Sequence, residues 1–159
     1  MMKEVFKAYQ TDIEDVTEWC NTTYNELFAP QFEIVRNYAT RLESNVAVIT
    51  DDELVKIITE LPAQLFVAAE SLNNLRLQYE ITKLKNKQTR SVAPDTDMCD
   101  FDIVAVAYSK VIQRVENEMT YAKELIMGAK KVFDSRKSAE HSNPIAETLP
   151  DDYDKVYIK

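Results

Sequence analysis

Glycine is almost absent from this sequence of 159 residues, in which Gly128 is the only one. Tight β-hairpins and phosphate-binding loops need glycine, because it adopts positive φ without strain and lets the backbone approach a ligand closely. Its scarcity argues against a many-stranded fold, a P-loop and a dinucleotide-binding turn. Long helices need little glycine, so the composition favours an α-helical protein.

Cysteine and histidine are also scarce, with Cys20, Cys99 and His141 as the complete set. The two cysteines lie too far apart in sequence to suggest a disulfide framework, so we expect both to be reduced. No pair of these residues has the spacing of a zinc site. We therefore predict no metal and no cofactor.

A short acidic segment resembles a calcium-binding loop at first sight. Its acids are Asp95, Asp97, Asp100 and Asp102. An EF-hand that started at Asp95 would need glycine at its sixth position and a bidentate acid at its twelfth, where this chain has Asp100 and Val106. A polar loop whose acids begin a helix is the better interpretation. Catalytic carboxylates cannot be singled out among 27 acids, and no motif supports a Cys–His pair, so we predict a protein that is not an enzyme.

Long apolar runs are missing as well. The longest, Ile103–Tyr108, is too short to cross a bilayer, and the N-terminal residues lack the apolar run of a signal peptide. We expect a cytoplasmic protein without membrane contact.

Apolar residues recur at alternating spacings of three and four, which places them on single helix faces. Two such stretches precede residue 50 and are separated by Pro30. The segment Thr50-Asp51-Asp52-Glu53 is a typical helix start, and the helix then either kinks at Pro62 or begins again there. In the two longest patterns we predict seams that pack against other helices, at Leu65, Leu72, Leu75 and Tyr79, and at Tyr108, Val115, Met119, Ile126 and Phe133.

These patterns predict an all-α fold, in which long antiparallel helices at about 62–90 and 102–137 form a hairpin or bundle with one or two N-terminal helices. We predict one helical domain over residues 1–137, with acidic N-terminal helices in 1–49 and the long hairpin in 50–137. A polar, flexible tail over 138–159 should follow. The helix at 102–137 would be about 50 Å long, and a helix of that length buries little surface by itself. We therefore expect it to pack against another helix, within the chain or from another subunit of a homo-oligomer.

Charge is unevenly distributed along the chain. Residues 1–80 contain fourteen acids and six basic residues, whereas residues 81–159 contain thirteen of each. Two basic clusters stand out, and both could neutralise phosphates. The alternative is that these cations lie at solvated helix ends, where they interact favourably with the helix dipole. The clusters are Lys83, Lys85, Lys87 and Arg90, and Lys130, Lys131, Arg136 and Lys137.

The region 54–140 resembles the UvsY-type recombination mediators of bacteriophages. The similarity lies in a long helix, LPAQLFVAAESLNNLRLQYEITKLKNKQTR, an interruption, and a second long helix that ends YAKELIMGAKKVFDSRK. The resemblance implies a small helical oligomer that binds single-stranded DNA in an infected bacterial cell. It also implies contacts with a RecA-like recombinase or a single-strand-binding protein. By this resemblance the first basic cluster would contact the DNA.

Two other functions stay open. The charge of residues 1–80 would suit an acidic inhibitor or DNA mimic that binds a host defence or replication protein. The helical seams alone would suit a structural or assembly helper, which would form a stable oligomer and would not bind nucleic acid.

Overall fold

A computed structural model describes residues 2–44, 46–92 and 99–141 of the chain. Within these ranges the chain forms four helices and no strand, which confirms the predicted all-α fold. The loop residues 93–98 and most of the predicted tail, 142–159, lie outside the described residues. The helices are α1 (Met2–Leu27), α2 (Ala29–Ser44), α3 (Asp51–Val92) and α4 (Cys99–His141).

Helix α3 begins eleven residues before the predicted start at 62 and passes through Pro62 without a break. Its start is the capping box expected from the sequence: Glu53 N–H donates to Thr50 Oγ1 at 3.2 Å, and Thr50 N–H donates to Glu53 Oε2 at 3.0 Å. Pro62 is exposed, whereas Leu61 and Leu65 on either side of it are buried. We attribute the continuity of the helix to this packing, which offsets the missing backbone hydrogen bond.

Helices α1 and α2 are separated by one residue, Phe28. Its N–H donates to the Tyr24 carbonyl at 2.9 Å, and its carbonyl accepts from Phe32 N–H at 3.2 Å, so helical bonding continues across the interruption. Both helices run alongside α4 in the same direction, with contacts that advance from Cys20–Ala107 to Glu43–Tyr121. Since α3 runs antiparallel to α4, the molecule is a helical bundle in which α1 and α2 pack beside the α3–α4 pair.

The core lies between these helices, and its largest interface joins α3 to α4. Among the predicted seam residues, Leu65, Leu72, Leu75 and Val115 are buried. The remaining ones, Tyr79, Tyr108, Met119, Ile126 and Phe133, are partly buried and pack against that core. Val104 also belongs to the apolar pattern of α4, yet 45% of its surface is exposed.

A polar cluster that the sequence patterns did not predict joins α1, α2 and α4. The buried Tyr24 hydroxyl donates to Glu118 Oε2 at 2.5 Å and accepts from Arg36 Nη2 at 2.6 Å. The Arg114 guanidinium lies 3.5 Å from the centre of the Tyr24 ring, at the distance of a cation–π contact. The cluster therefore fixes both sides of the Phe28 interruption to α4.

The titration of Tyr24 should make the protein sensitive to alkali. Burial, together with the hydrogen bond to Glu118, raises the pKa of Tyr24 from 10.0 to about 12. A raised folded-state pKa means that its contribution to stability is complete below pH 10 and is lost as the pH rises towards 12. We expect the free energy of unfolding, measured in urea, to fall more steeply over this range in the wild type than in Tyr24→Phe. Parallel curves for the two proteins would contradict the prediction.

Candidate nucleic-acid interface

The first basic cluster lies on the last three turns of α3. Lys83, Lys87 and Arg90 are four and three residues apart and share one helix face, whereas Lys85 lies on another. The three lysines and Arg90 are all exposed. Lys83 Nζ lies 3.1 Å from Glu80 Oε1 and 4.9 Å from the centre of the Tyr79 ring. The hydrogen bond to Glu80 raises the pKa of Lys83, which favours its charged form.

The second cluster is divided between the surface and a structural contact. Arg136 donates to the carbonyls of Ile49 at 2.7 Å and Val46 at 2.8 Å, and to Asp51 Oδ1 at 2.9 Å. Its guanidinium thereby fixes the α2–α3 connection to the end of α4. The hydrogen bond from Arg136 lowers the pKa of Asp51. Arg136 was predicted as a DNA contact, yet its guanidinium already holds three acceptors inside the protein.

The other members of this cluster point in different directions. Lys137 Nζ lies 3.3 Å from Asp51 Oδ2 and 2.9 Å from Glu140 Oε2. Lys130 and Lys131 are both exposed. As neighbours in sequence they lie about 100° apart around the helix. Only one of the two can therefore share a face with Lys137, and the spacing of seven selects Lys130.

The two clusters lie at opposite ends of the hairpin. Lys137 contacts Asp51, the first residue of α3, whereas Lys87 lies 36 residues further along that helix, which is about 54 Å. They cannot act as one compact site. Any ligand that contacts both must be elongated.

A pocket between α3 and α4 lies between the two ends. It is lined by Asn73 and Arg76 of α3 and by Glu116, Thr120 and Lys123 of α4. Arg76 is seven residues from Lys83, and Lys123 is seven from Lys130, so each lies on the same face as the cluster next to it. We call this side of the α3–α4 pair the basic groove; its seven cations are Arg76, Lys83, Lys87, Arg90, Lys123, Lys130 and Lys137.

Carboxylates neutralise part of the basic groove. Arg76 pairs with Glu116, Lys83 with Glu80, and Lys137 with Asp51 and Glu140. Within the part of the chain that the structure describes, Lys87, Lys123 and Lys130 form no ion pair. These three exposed lysines are the groove cations most readily available to a phosphate.

The sequence patterns missed Arg76 and Lys123 because neither belongs to a local run of basic residues. The available signal was the seven-residue spacing from 76 to 83 and from 123 through 130 to 137. The two basic clusters predicted from the sequence also included Lys85 and Lys131, which lie on other helix faces. A local run of charge shows where cations are dense, but it does not show which of them share a surface.

The described residues include neither a metal-binding cluster nor a membrane-spanning helix. In the described ranges, 2–44, 46–92 and 99–141, no three His, Cys, Asp or Glu residues are grouped so that they could hold a metal ion. None of the helices in these ranges is both long and apolar enough to cross a membrane.

Comparison of the chain with protein-family models, with curated proteins and with solved structures gives no match.

Proposed function

We propose that this chain is a non-enzymatic protein that binds single-stranded DNA along the basic groove and helps to load a RecA-like recombinase. The observation that carries the proposal is the alignment of seven cations on one side of the α3–α4 pair in a protein of net charge −8. Clusters of one sign on a protein surface attract ligands of the opposite sign, whatever the net charge of the molecule.

The acidic N-terminal helix lies on the far side of α4 from this groove. It contacts α4 at Arg114 and Glu118, through Asn21 and Tyr24, whereas the groove includes Glu116. Positions two residues apart in a helix lie about 200° apart. The carboxylates of α1 therefore repel a bound strand less than the net charge suggests, because α4 lies between them.

The spacing of the groove cations favours a linear polyanion. They are distributed along the length of α3 from Asp51, which Lys137 contacts, to Arg90, a distance of about 58 Å. All seven cations are Lys or Arg side chains on helices, which suits contacts to phosphates and not readout of base edges. The expected binding is therefore largely independent of base sequence. The role in recombination comes from the resemblance of residues 54–140 to phage mediators.

Fluorescence anisotropy with a labelled oligonucleotide tests the DNA-binding step. We expect binding that weakens as salt increases. Replacing Lys87, Lys123 and Lys130 together with alanine should lower the affinity about tenfold or more and reduce the slope of log K against log salt by about 2, since each lost contact to a single strand removes about 0.7. The reason is that these three lysines form no ion pair among the described residues.

A matched control changes three cations outside the groove, namely Lys85, Lys110 and Lys131, to alanine. This variant has the same net charge as the groove variant, so a general electrostatic effect would weaken binding equally in both. Absence of salt-dependent binding in the wild type, or equal losses in the two variants, would contradict the proposal.

One observation favours a second function, an acidic inhibitor or DNA mimic. Between residues 13 and 27 helix α1 carries exposed Glu14, Asp15, Glu18 and Glu26 and no basic residue. Such a surface would suit a basic protein partner. In that case the anisotropy experiment would show no binding at any salt concentration, which separates the two functions.

A further inference from the structure

Helix α3 exposes a row of apolar side chains on the side that faces away from the core. Phe66 is 65% exposed, Leu77 is 61% and Leu84 is 60%, and Val55 and Ile81 are also exposed. The core residues of the same helix, such as Leu61, Leu72 and Leu75, lie on the opposite side. A surface helix normally has one apolar stripe, so a second one marks an interaction surface.

These apolar residues belong to a row of positions that are three or four residues apart and extend along nearly the whole helix. From position 55 to position 88 the row makes nine turns in 33 residues, or 3.67 residues per turn, which is close to the period of a straight α-helix, so all its positions lie on one face. Its positions are 55, 59, 62, 66, 70, 73, 77, 81, 84 and 88. We call them the outward face of α3.

The outward face is symmetric about the middle of the helix, between Ser71 and Leu72. If a second α3 packs antiparallel to the first and the midpoints of the two helices are side by side, Phe66 is opposite the partner's Leu77. Pro62 is then opposite the partner's Ile81, and Glu70 is opposite the partner's Asn73. Two apolar pairs therefore meet on each side of a short polar centre, and further out Thr59 is opposite the partner's Leu84 and Val55 opposite the partner's Gln88. Every contact is reciprocal, as a twofold interface requires.

The charge of α3 is complementary to itself in the same arrangement. Residues 51–71 hold five acids and one lysine, whereas residues 72–92 hold five basic residues and one acid. Antiparallel pairing places the acidic half of each helix beside the basic half of the other. Parallel pairing would instead place like charges together, and like-charge contacts across an interface are unfavourable.

We infer that the outward face of α3 is a homodimer interface, in which two copies of this chain pack α3 against α3 in antiparallel orientation about a twofold axis at residues 71–72. The seven cations of the basic groove lie beside this interface and are not covered by it, whereas Asn73 borders the groove and also belongs to the interface. Because the twofold axis is perpendicular to both helices, it keeps the two grooves on the same side of the dimer. The inference rests on the α3 surface alone and stands whether or not the grooves bind DNA.

Sedimentation velocity of the full chain tests the interface. We expect the wild type to sediment with twice the mass of the 18.3 kDa chain. The double variant Phe66→Glu, Leu77→Glu should sediment as a monomer with unchanged helical circular dichroism, because both side chains are exposed. Met127→Glu is the matched control, since Met127 is 56% exposed on α4, and it should remain dimeric. A monomeric wild type, or a double variant that stays dimeric, would overturn the inference.

Single-cysteine variants test whether the two α3 helices of the dimer are antiparallel. They are made in a protein in which Cys20 and Cys99 have been replaced with serine. At position 70 the two copies lie about 4.5 Å apart along the helix axis, so Glu70→Cys should form an intersubunit disulfide on a non-reducing gel. At position 84 the copies lie about 37 Å apart, so Leu84→Cys should not. A disulfide at position 84, or none at position 70, would rule out the antiparallel register.

Discussion

Replacement of Phe28 with alanine is expected to lower the free energy of unfolding by about 3–5 kcal/mol, the usual cost of a large cavity in a packed core. Phe28 has no exposed surface, and its ring centre lies 6.2 Å from that of Tyr24. It also occupies the one residue between α1 and α2, where the helix is interrupted although the Phe28 backbone still bonds to Tyr24 and Phe32. Loss of the ring removes packing at the point where the two helices rely on it most.

Chemical denaturation followed by circular dichroism measures this effect as a shift of the unfolding midpoint. Leu27→Ala is the appropriate control, because Leu27 is the preceding residue and is 41% exposed. Its substitution should change the midpoint only slightly. If both variants unfold at similar denaturant concentrations, the Phe28 interruption does not contribute to the core in the way the structure indicates.

Replacement of Arg136 with alanine should destabilise the protein by about 1.5–3 kcal/mol, since charge-assisted hydrogen bonds to the Ile49 and Val46 carbonyls are lost. Ile49 is buried, so its carbonyl has little access to water in compensation. Arg136→Lys should recover only part of the stability, because a single ammonium cannot reach acceptors in several directions as the planar guanidinium does. Thermal unfolding would detect the difference.

The pH dependence provides a second test of the Arg136 contact. The pKa of Asp51 is lowered in the folded state, chiefly by its hydrogen bond from Arg136. The stabilisation is therefore present above the ordinary value of 3.8 and is lost as the pH falls through the lower folded value. We expect the gap between wild type and Arg136→Ala to narrow in acid. A gap that is independent of pH would show that Asp51 contributes nothing.

The same variant distinguishes the two parts of the second basic cluster. Since the Arg136 guanidinium is held by acceptors inside the protein, its removal should leave the salt dependence of DNA binding nearly unchanged. Lys130 belongs to the same cluster but is exposed in the basic groove. The variants thus separate a structural cation from a phosphate-binding one, six residues apart on one helix.

Much of the helical architecture could be predicted from the sequence. The spacing of apolar residues indicated every helix, and the capping box at Thr50 and Glu53 located the start of α3. These signals are local, because the hydrogen bonds and side-chain contacts that define a helix join residues three and four positions apart. The sequence also contained the two basic clusters and the change from acidic to basic charge along α3.

Only the tertiary structure decided how these elements are used. Packing on both sides of Pro62 keeps α3 continuous where the sequence allowed a break. The contact of Arg136 with the α2–α3 connection joins residues 85 to 90 positions apart, and no local pattern encodes it. The basic groove likewise unites Arg76 with Lys123, from different helices. The sequence by itself therefore determined the helices, while the pairing of α3 with α4 determined which cations share the basic groove and which hold the fold together. The physical reason is that side-chain periodicity is set within each helix, whereas the neighbours of each face are set by packing between segments distant in sequence.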